Sequence, residues 1–107
     1  MIEHTEQRGK YTINLELLPE EEAPDWGFDT EEEKNALYKE IDSGNLLWFV
    51  AKVTTVLDGV TLATDYLGGC CYKSVADFVS DPYYESMAAC AIAESEVWLS
   101  RNADVTE

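Results

Sequence analysis

The stretch Leu46-Leu47-Trp48-Phe49-Val50-Ala51-Lys52-Val53-Thr54-Thr55-Val56-Leu57-Asp58-Gly59-Val60 decides the fold. Twelve residues rich in β-branched and aromatic side chains run into Asp-Gly, the dipeptide that supplies positive φ at both centres of a tight hairpin turn. A strand over residues 46–57 and a return over 60–67 follow. A two-residue turn pairs Leu57 with Val60, Thr55 with Leu62, Val53 with Thr64 and Ala51 with Tyr66. That set, continued by Phe49, forms a mostly apolar face. On the other face Lys52 falls opposite Asp65, an opposed charge pair that supports the alignment. Gly68-Gly69-Cys70-Cys71 is expected to break the strand.

Upstream, Tyr11, Ile13, Leu15 and Leu17 alternate with Thr12, Asn14 and Glu16, the period of a half-buried strand, and Pro19 ends it. Residues 20–29 carry acids, a Pro and a Gly and read as a loop. Trp26 and Phe28 within it either staple the loop to the core or are exposed for a partner. Thr30 followed by Glu33 is a capping box, so a helix is expected from there to about Asp42, with Leu37, Tyr38 and Ile41 as its apolar stripe. Glu31, Glu32 and Glu33 suit the positive end of its dipole, and Gly44 stops it.

Downstream, Ser74-Val75-Ala76-Asp77 opens a short helix to about Val79. Asp81-Pro82 starts the last helix, Asp as cap and Pro at the first position. It reaches about Arg101, with Tyr84, Met87, Ala88, Ala91, Ser95 and Trp98 on one face. Residues 1–8 and 102–107 read as frayed tails. The expectation is one α+β domain over residues 1–107: an antiparallel three-stranded sheet, order β-α-β-β-α-α, with helices packed on one face.

Composition bounds the function. Twenty-two carboxylates against seven basic side chains give the 107 residues a formal charge of −15. A soluble domain of this size usually carries a net charge of about 2–8 in magnitude, and the excess repels itself in the compact state. It is also uneven. Eleven acids and two lysines between Glu16 and Asp42 hold −9 of the total. With 46% hydrophobic residues the chain can bury a core, which argues against disorder. No apolar run approaches a membrane span, and the amino terminus lacks the pattern of a signal peptide. A cytosolic protein with no membrane partner is expected. Cys70, Cys71 and Cys90 are then reduced, and they read as small buried apolar residues.

Catalytic and cofactor motifs do not compete with the charge. Carboxylates are too many for any pair to be informative, and the glutamate runs read as solvated rather than pocketed. Asp25-Trp26-Gly27-Phe28-Asp29 lacks the oxygen ligands and spacing of a calcium loop. Gly68-Gly69 is not followed by the Lys-Ser/Thr of a phosphate loop. Cys70-Cys71 lacks redox spacing, and a zinc site would want about four ligands, which one histidine, His4, in an expected tail does not supply. No catalytic residue, metal or cofactor is expected, and direct nucleic-acid binding is disfavoured because phosphate contacts need Lys and Arg.

What remains is an acidic binding surface. Its expected residues are Glu20, Glu21, Glu22, Asp25, Asp29, Glu31, Glu32, Glu33, Glu40 and Asp42, with Trp26 and Phe28 as apolar anchors. A partner with rows of Lys and Arg, built for a polyanion, fits such a surface. Leu47-Trp48-Phe49-Val50-Ala51-Lys52-Val53, Asp65-Tyr66-Leu67-Gly68-Gly69-Cys70-Cys71-Tyr72 and Asp81-Pro82-Tyr83-Tyr84 are similar in style to small phage and plasmid proteins. As a small, strongly acidic single domain, the chain resembles the DNA-mimic inhibitors of that group, the antirestriction and anti-CRISPR proteins. The resemblance implies no catalysis and a nucleic-acid-binding defence protein as target. The alternative is a general protein-binding adaptor whose charge serves solubility. A homodimer is left open.

Overall fold

The computed structural model describes the backbone of residues 1–24 and 29–103, with side chains through Arg101. Four strands, β1 (Ile2–Arg8), β2 (Tyr11–Pro19), β3 (Leu47–Leu57) and β4 (Val60–Tyr72), form one antiparallel sheet in the order β1-β2-β3-β4. Helix α1 (Glu31–Asp42) lies between β2 and β3 in the chain, and α2 (Val75–Val79) and α3 (Pro82–Ala103) follow β4. The class is α+β as expected, but the sheet has four strands rather than three.

The extra strand is β1, where a frayed tail was expected. It pairs with β2 from Ile2 to Arg8 through a turn in which Gly9 has φ +57°. Composition conceals it because its helix-facing positions are titratable. His4 lies edge-on to the Tyr84 ring at 5.7 Å. Arg8 donates to Glu6 at 3.2 Å and to Glu85 on α3 at 2.7 and 2.9 Å. The Tyr84 hydroxyl donates to Glu6. This network, rather than an apolar stripe, fastens the edge strand to the helix layer.

The central hairpin turns at Asp58-Gly59, both residues at positive φ (+50° and +80°), and Leu57 faces Val60 as expected. Beyond that the register differs. Leu62 is an extra residue, so Thr55 faces Ala63, Val53 faces Asp65, and Lys52 faces Tyr66 rather than Asp65. A one-residue bulge exchanges the faces of the strand beyond it. Here it puts small, buried Ala63 on the helix side and sends Tyr66 to the open side, where it is 58% exposed. Lys52 finds its carboxylate on β2 instead, with Nζ 3.6 Å from Glu16.

Gly68 and Gly69 do not end the strand. They stand together opposite Val50, as a second bulge between the pairs Ala51–Leu67 and Phe49–Cys70. Gly69 takes φ +66° there, a conformation that disfavours any side chain.

The core lies between the sheet and α2–α3. Ile13, Leu15, Ala51 and Val53 of the sheet, and Ala88 and Ala91 of α3, are fully buried. The alanines let α3 lie close to the strands. The Phe78 ring of α2 packs edge-on against Phe49, Tyr72 and Tyr84 at centroid distances of 5.5, 5.0 and 6.0 Å. The one buried polar pair, among the described residues, is Thr55 with Ser95, hydrogen-bonded to each other. Trp98, expected on this face, is 44% exposed.

Helix α1 departs from the expected layer. Thr30 caps it, accepting the Glu33 N–H at 3.2 Å, and Gly44 follows its end at φ +85°. None of its residues is buried. The described chain is elongated, 63 × 22 × 21 Å with a radius of gyration of 17.1 Å, against about 13 Å for a compact domain of 100 residues.

Candidate interaction surface

Among the described residues, hydrogen bonds attach the acidic segment after β2 to its surroundings. The Glu20 carboxylate accepts the Gly69 N–H at 2.7 Å, reaching across β3 to the β4 bulge. The Trp48 indole N–H donates to the Glu22 carbonyl at 2.8 Å. The Tyr38 hydroxyl of α1 donates to the Pro24 carbonyl at 3.1 Å, and Pro24 itself is buried. At the far end of the helix, the Leu46 N–H donates to the Glu40 carbonyl at 3.1 Å as the chain enters β3. The start of the arm is therefore tied to the sheet through Glu20 and Glu22, and the Leu46–Glu40 bond closes the turn at the end of α1.

The expected site residues separate into groups. Glu21, Glu22, Asp29, Glu31, Glu32, Glu33, Glu40 and Asp42 are exposed. Glu33 also accepts the Asp29 N–H at 3.3 Å, so it closes the helix start as well as carrying charge. Glu20 is half-buried and serves the Gly69 and Glu22 amides, so its role is to position the arm. Asp25, Trp26 and Phe28 lie outside the described residues. At 3.6 residues per turn the five α1 acids spread over about 200° of the helix, with Lys39 inside that arc. Lys34 lies in the remaining arc with Leu37 and Ile41 and sits 5.7 Å from the Tyr38 ring centroid.

A second surface was missed by sequence reasoning. β4 is the last strand of the sheet. A groove of about 480 Å³ runs along residues 67–72 of that strand, walled by Tyr83 at the start of α3. The Tyr83 ring is 61% exposed. Its backbone N–H is held by the Asp81 carboxylate at 2.9 Å, the helix cap expected from Asp-Pro. Burial first, and then the nearby Asp81 carboxylate, push the Tyr72 phenol up to about 12. Burial, with Glu20 and Asp81 nearby, pushes the Cys70 thiol up, against the lowering effect of a hydrogen bond with Ala51. The Tyr-Leu-Gly-Gly-Cys-Cys-Tyr run was the available signal for this groove.

Of the three cysteines, expected to be buried, Cys70 is buried, Cys71 is half-buried and Cys90 is exposed on the outer side of α3. Among the described residues no group of three or more His, Cys, Asp and Glu side chains is arranged to hold a metal ion. Among the same residues no helix is long and apolar enough to cross a membrane. The chain matches no protein-family model, no curated protein and no solved structure.

Proposed function

We propose that this chain is an acidic, non-catalytic, cytosolic binding protein, a DNA-mimicking inhibitor of a basic nucleic-acid-binding protein of the phage-defence type. The observation that carries the reading is α1 with its preceding loop. It is a capped helix with no buried residue, bonded through Tyr38 to the Pro24 carbonyl and presenting exposed carboxylates from a chain of formal charge −15. A helix made only for stability would turn an apolar face to the sheet. This one gives up that burial and keeps its charge in water.

Magnitudes fit one strand of a duplex better than both. Spread along the 63 Å axis, a charge of −15 amounts to about one per 4 Å. Duplex DNA carries one per about 1.7 Å counting both strands and one per about 3.4 Å along a single strand. That average is taken over the whole surface; the stretch from Glu16 to Asp42 carries −9 of the total, a concentration of charge that favours steering toward a Lys/Arg-lined groove and displacement of its counterions.

Capture from host lysate at low and high salt, with and without competing duplex DNA, tests the reading. A nuclease or other nucleic-acid-binding complex that is retained at low salt, released at high salt and displaced by DNA is the expected result. A partner that resists salt and ignores DNA would favour the adaptor reading, with the acidic face serving solubility.

A further inference from the structure

We propose that the free edge of β4 along residues 67–72 takes up an extended, lysine- or arginine-bearing segment of the partner by strand addition. The inference rests on the reading of a basic partner and names a second contact for it, separate from the α1 carboxylates. Four observations carry it.

β4 ends the sheet order, so one side of its backbone has no strand beside it among the described residues. Unpaired N–H and C=O groups on an edge are a template for another chain, and proteins usually guard them with charge or proline. Leu67-Gly68-Gly69-Cys70-Cys71-Tyr72 has neither; its one interruption is the Gly68–Gly69 bulge, where Glu20 already takes the Gly69 N–H, so pairing falls to the residues on either side of it. Six residues span about 20 Å, the usual length of a strand.

The edge is also shaped as a groove. Tyr83 rises from the start of α3 as its wall, and the open groove has a volume of about 480 Å³. Gly68 and Gly69 carry no side chain on either face beside the edge, so the side chains of an added strand meet no neighbour there. The exposed Tyr83 ring offers a flat apolar face for the stem of a lysine or arginine and a π-face for its charge.

Charge selects the occupant. The Glu20 carboxylate sits on the Gly69 amide, and Asp81 lies beside Tyr72. The groove lining itself carries no charged side chain, and with Lys73 next in the chain the two carboxylates leave its surroundings net negative. A second copy of this chain would bring another −15 to the contact, so self-pairing is opposed. A basic segment is attracted.

The test is an amide NMR titration of the whole chain at low salt. The ligand is a short capped peptide alternating lysine with valine, and the control is its glutamate counterpart. Saturable shifts at residues 67–72 and Tyr83, slowed hydrogen exchange of the same β4 amides, and no binding of the glutamate peptide are expected. Tyr83→Ala removes an exposed ring and should weaken the lysine peptide about tenfold. Unmoved β4 amides, or shifts confined to α1, would overturn the edge site and leave the α1 reading standing. Equal binding of the glutamate peptide would overturn the basic occupant. Failure of the α1 reading shows separately, in lysine substitutions on that helix.

Discussion

The carboxylate of Glu20, at the end of β2, accepts the backbone N–H of Gly69 on β4 at 2.7 Å, across the intervening strand. The bond is possible because the Gly68–Gly69 bulge turns that amide out of the β3 ladder. It makes the first residue of the acidic arm a fixed point on the sheet.

Glu20→Ala should therefore loosen the arm and cost about 1 kcal/mol, below the usual range for a bond to a charged group because the site is partly exposed. Glu20→Gln keeps an acceptor and should lose less. Gly68→Ala places a Cβ 3.1 Å from the same carboxylate oxygen and should displace it. The two alanine changes then act on one bond, and their effects should fall short of additive in urea unfolding. Full additivity would show that the bond carries nothing.

Ser95 sits fully buried beneath the sheet, bonded to the Thr55 hydroxyl and to the Ala91 carbonyl, the latter at 2.8 Å. Ser95→Ala should destabilise the fold by about 1–3 kcal/mol, because it leaves the buried Thr55 hydroxyl without its partner. Adding Thr55→Val removes the orphan and should recover part of the loss. A double variant worse than the sum of the singles would contradict this account of the pair.

Glu6 predicts an acid-side dependence. The Tyr84 hydroxyl, and then Arg8, hold its carboxyl below the ordinary 4.5, against desolvation that raises it. A folded-state value below the unfolded one stabilises the protein above about pH 4.5, and that stability is lost as pH falls through the lower folded value. Glu6→Gln should thus be less stable than the parent near neutrality, and the gap should narrow in acid. Urea unfolding of both proteins at several pH values checks this, and a gap independent of pH would contradict it.

What the sequence made legible was local. Thr30 with Glu33, Asp58-Gly59, Ser74 with Asp77 and Asp81-Pro82 each encode a cap or turn within four residues, and each appears as read. What it hid depends on residues far apart. β1 reads as polar because its buried-side contacts are His4, Glu6 and Arg8 meeting Tyr84 and Glu85, more than seventy positions away. The Leu62 bulge cannot be seen in a pattern of period two, yet it inverts the strand beyond it. Of the site, the acidic helix was visible from composition. The attachment of its loop through Glu20 and Trp48, and the groove at Tyr83, exist only once β2, β3 and β4 lie side by side.

The central claim is that exposed α1 carboxylates bind a basic, nucleic-acid-binding partner. The most direct measurement compares the parent with Glu31→Lys/Glu32→Lys/Glu33→Lys in capture of that partner and in its displacement by duplex DNA, after circular dichroism shows both chains folded. None of the three side chains is buried, so the fold should survive, with some loss at the helix start where three acids complement the dipole. The account predicts that capture is abolished. Capture of the same DNA-displaceable partner by the reversed chain, undiminished, would contradict it.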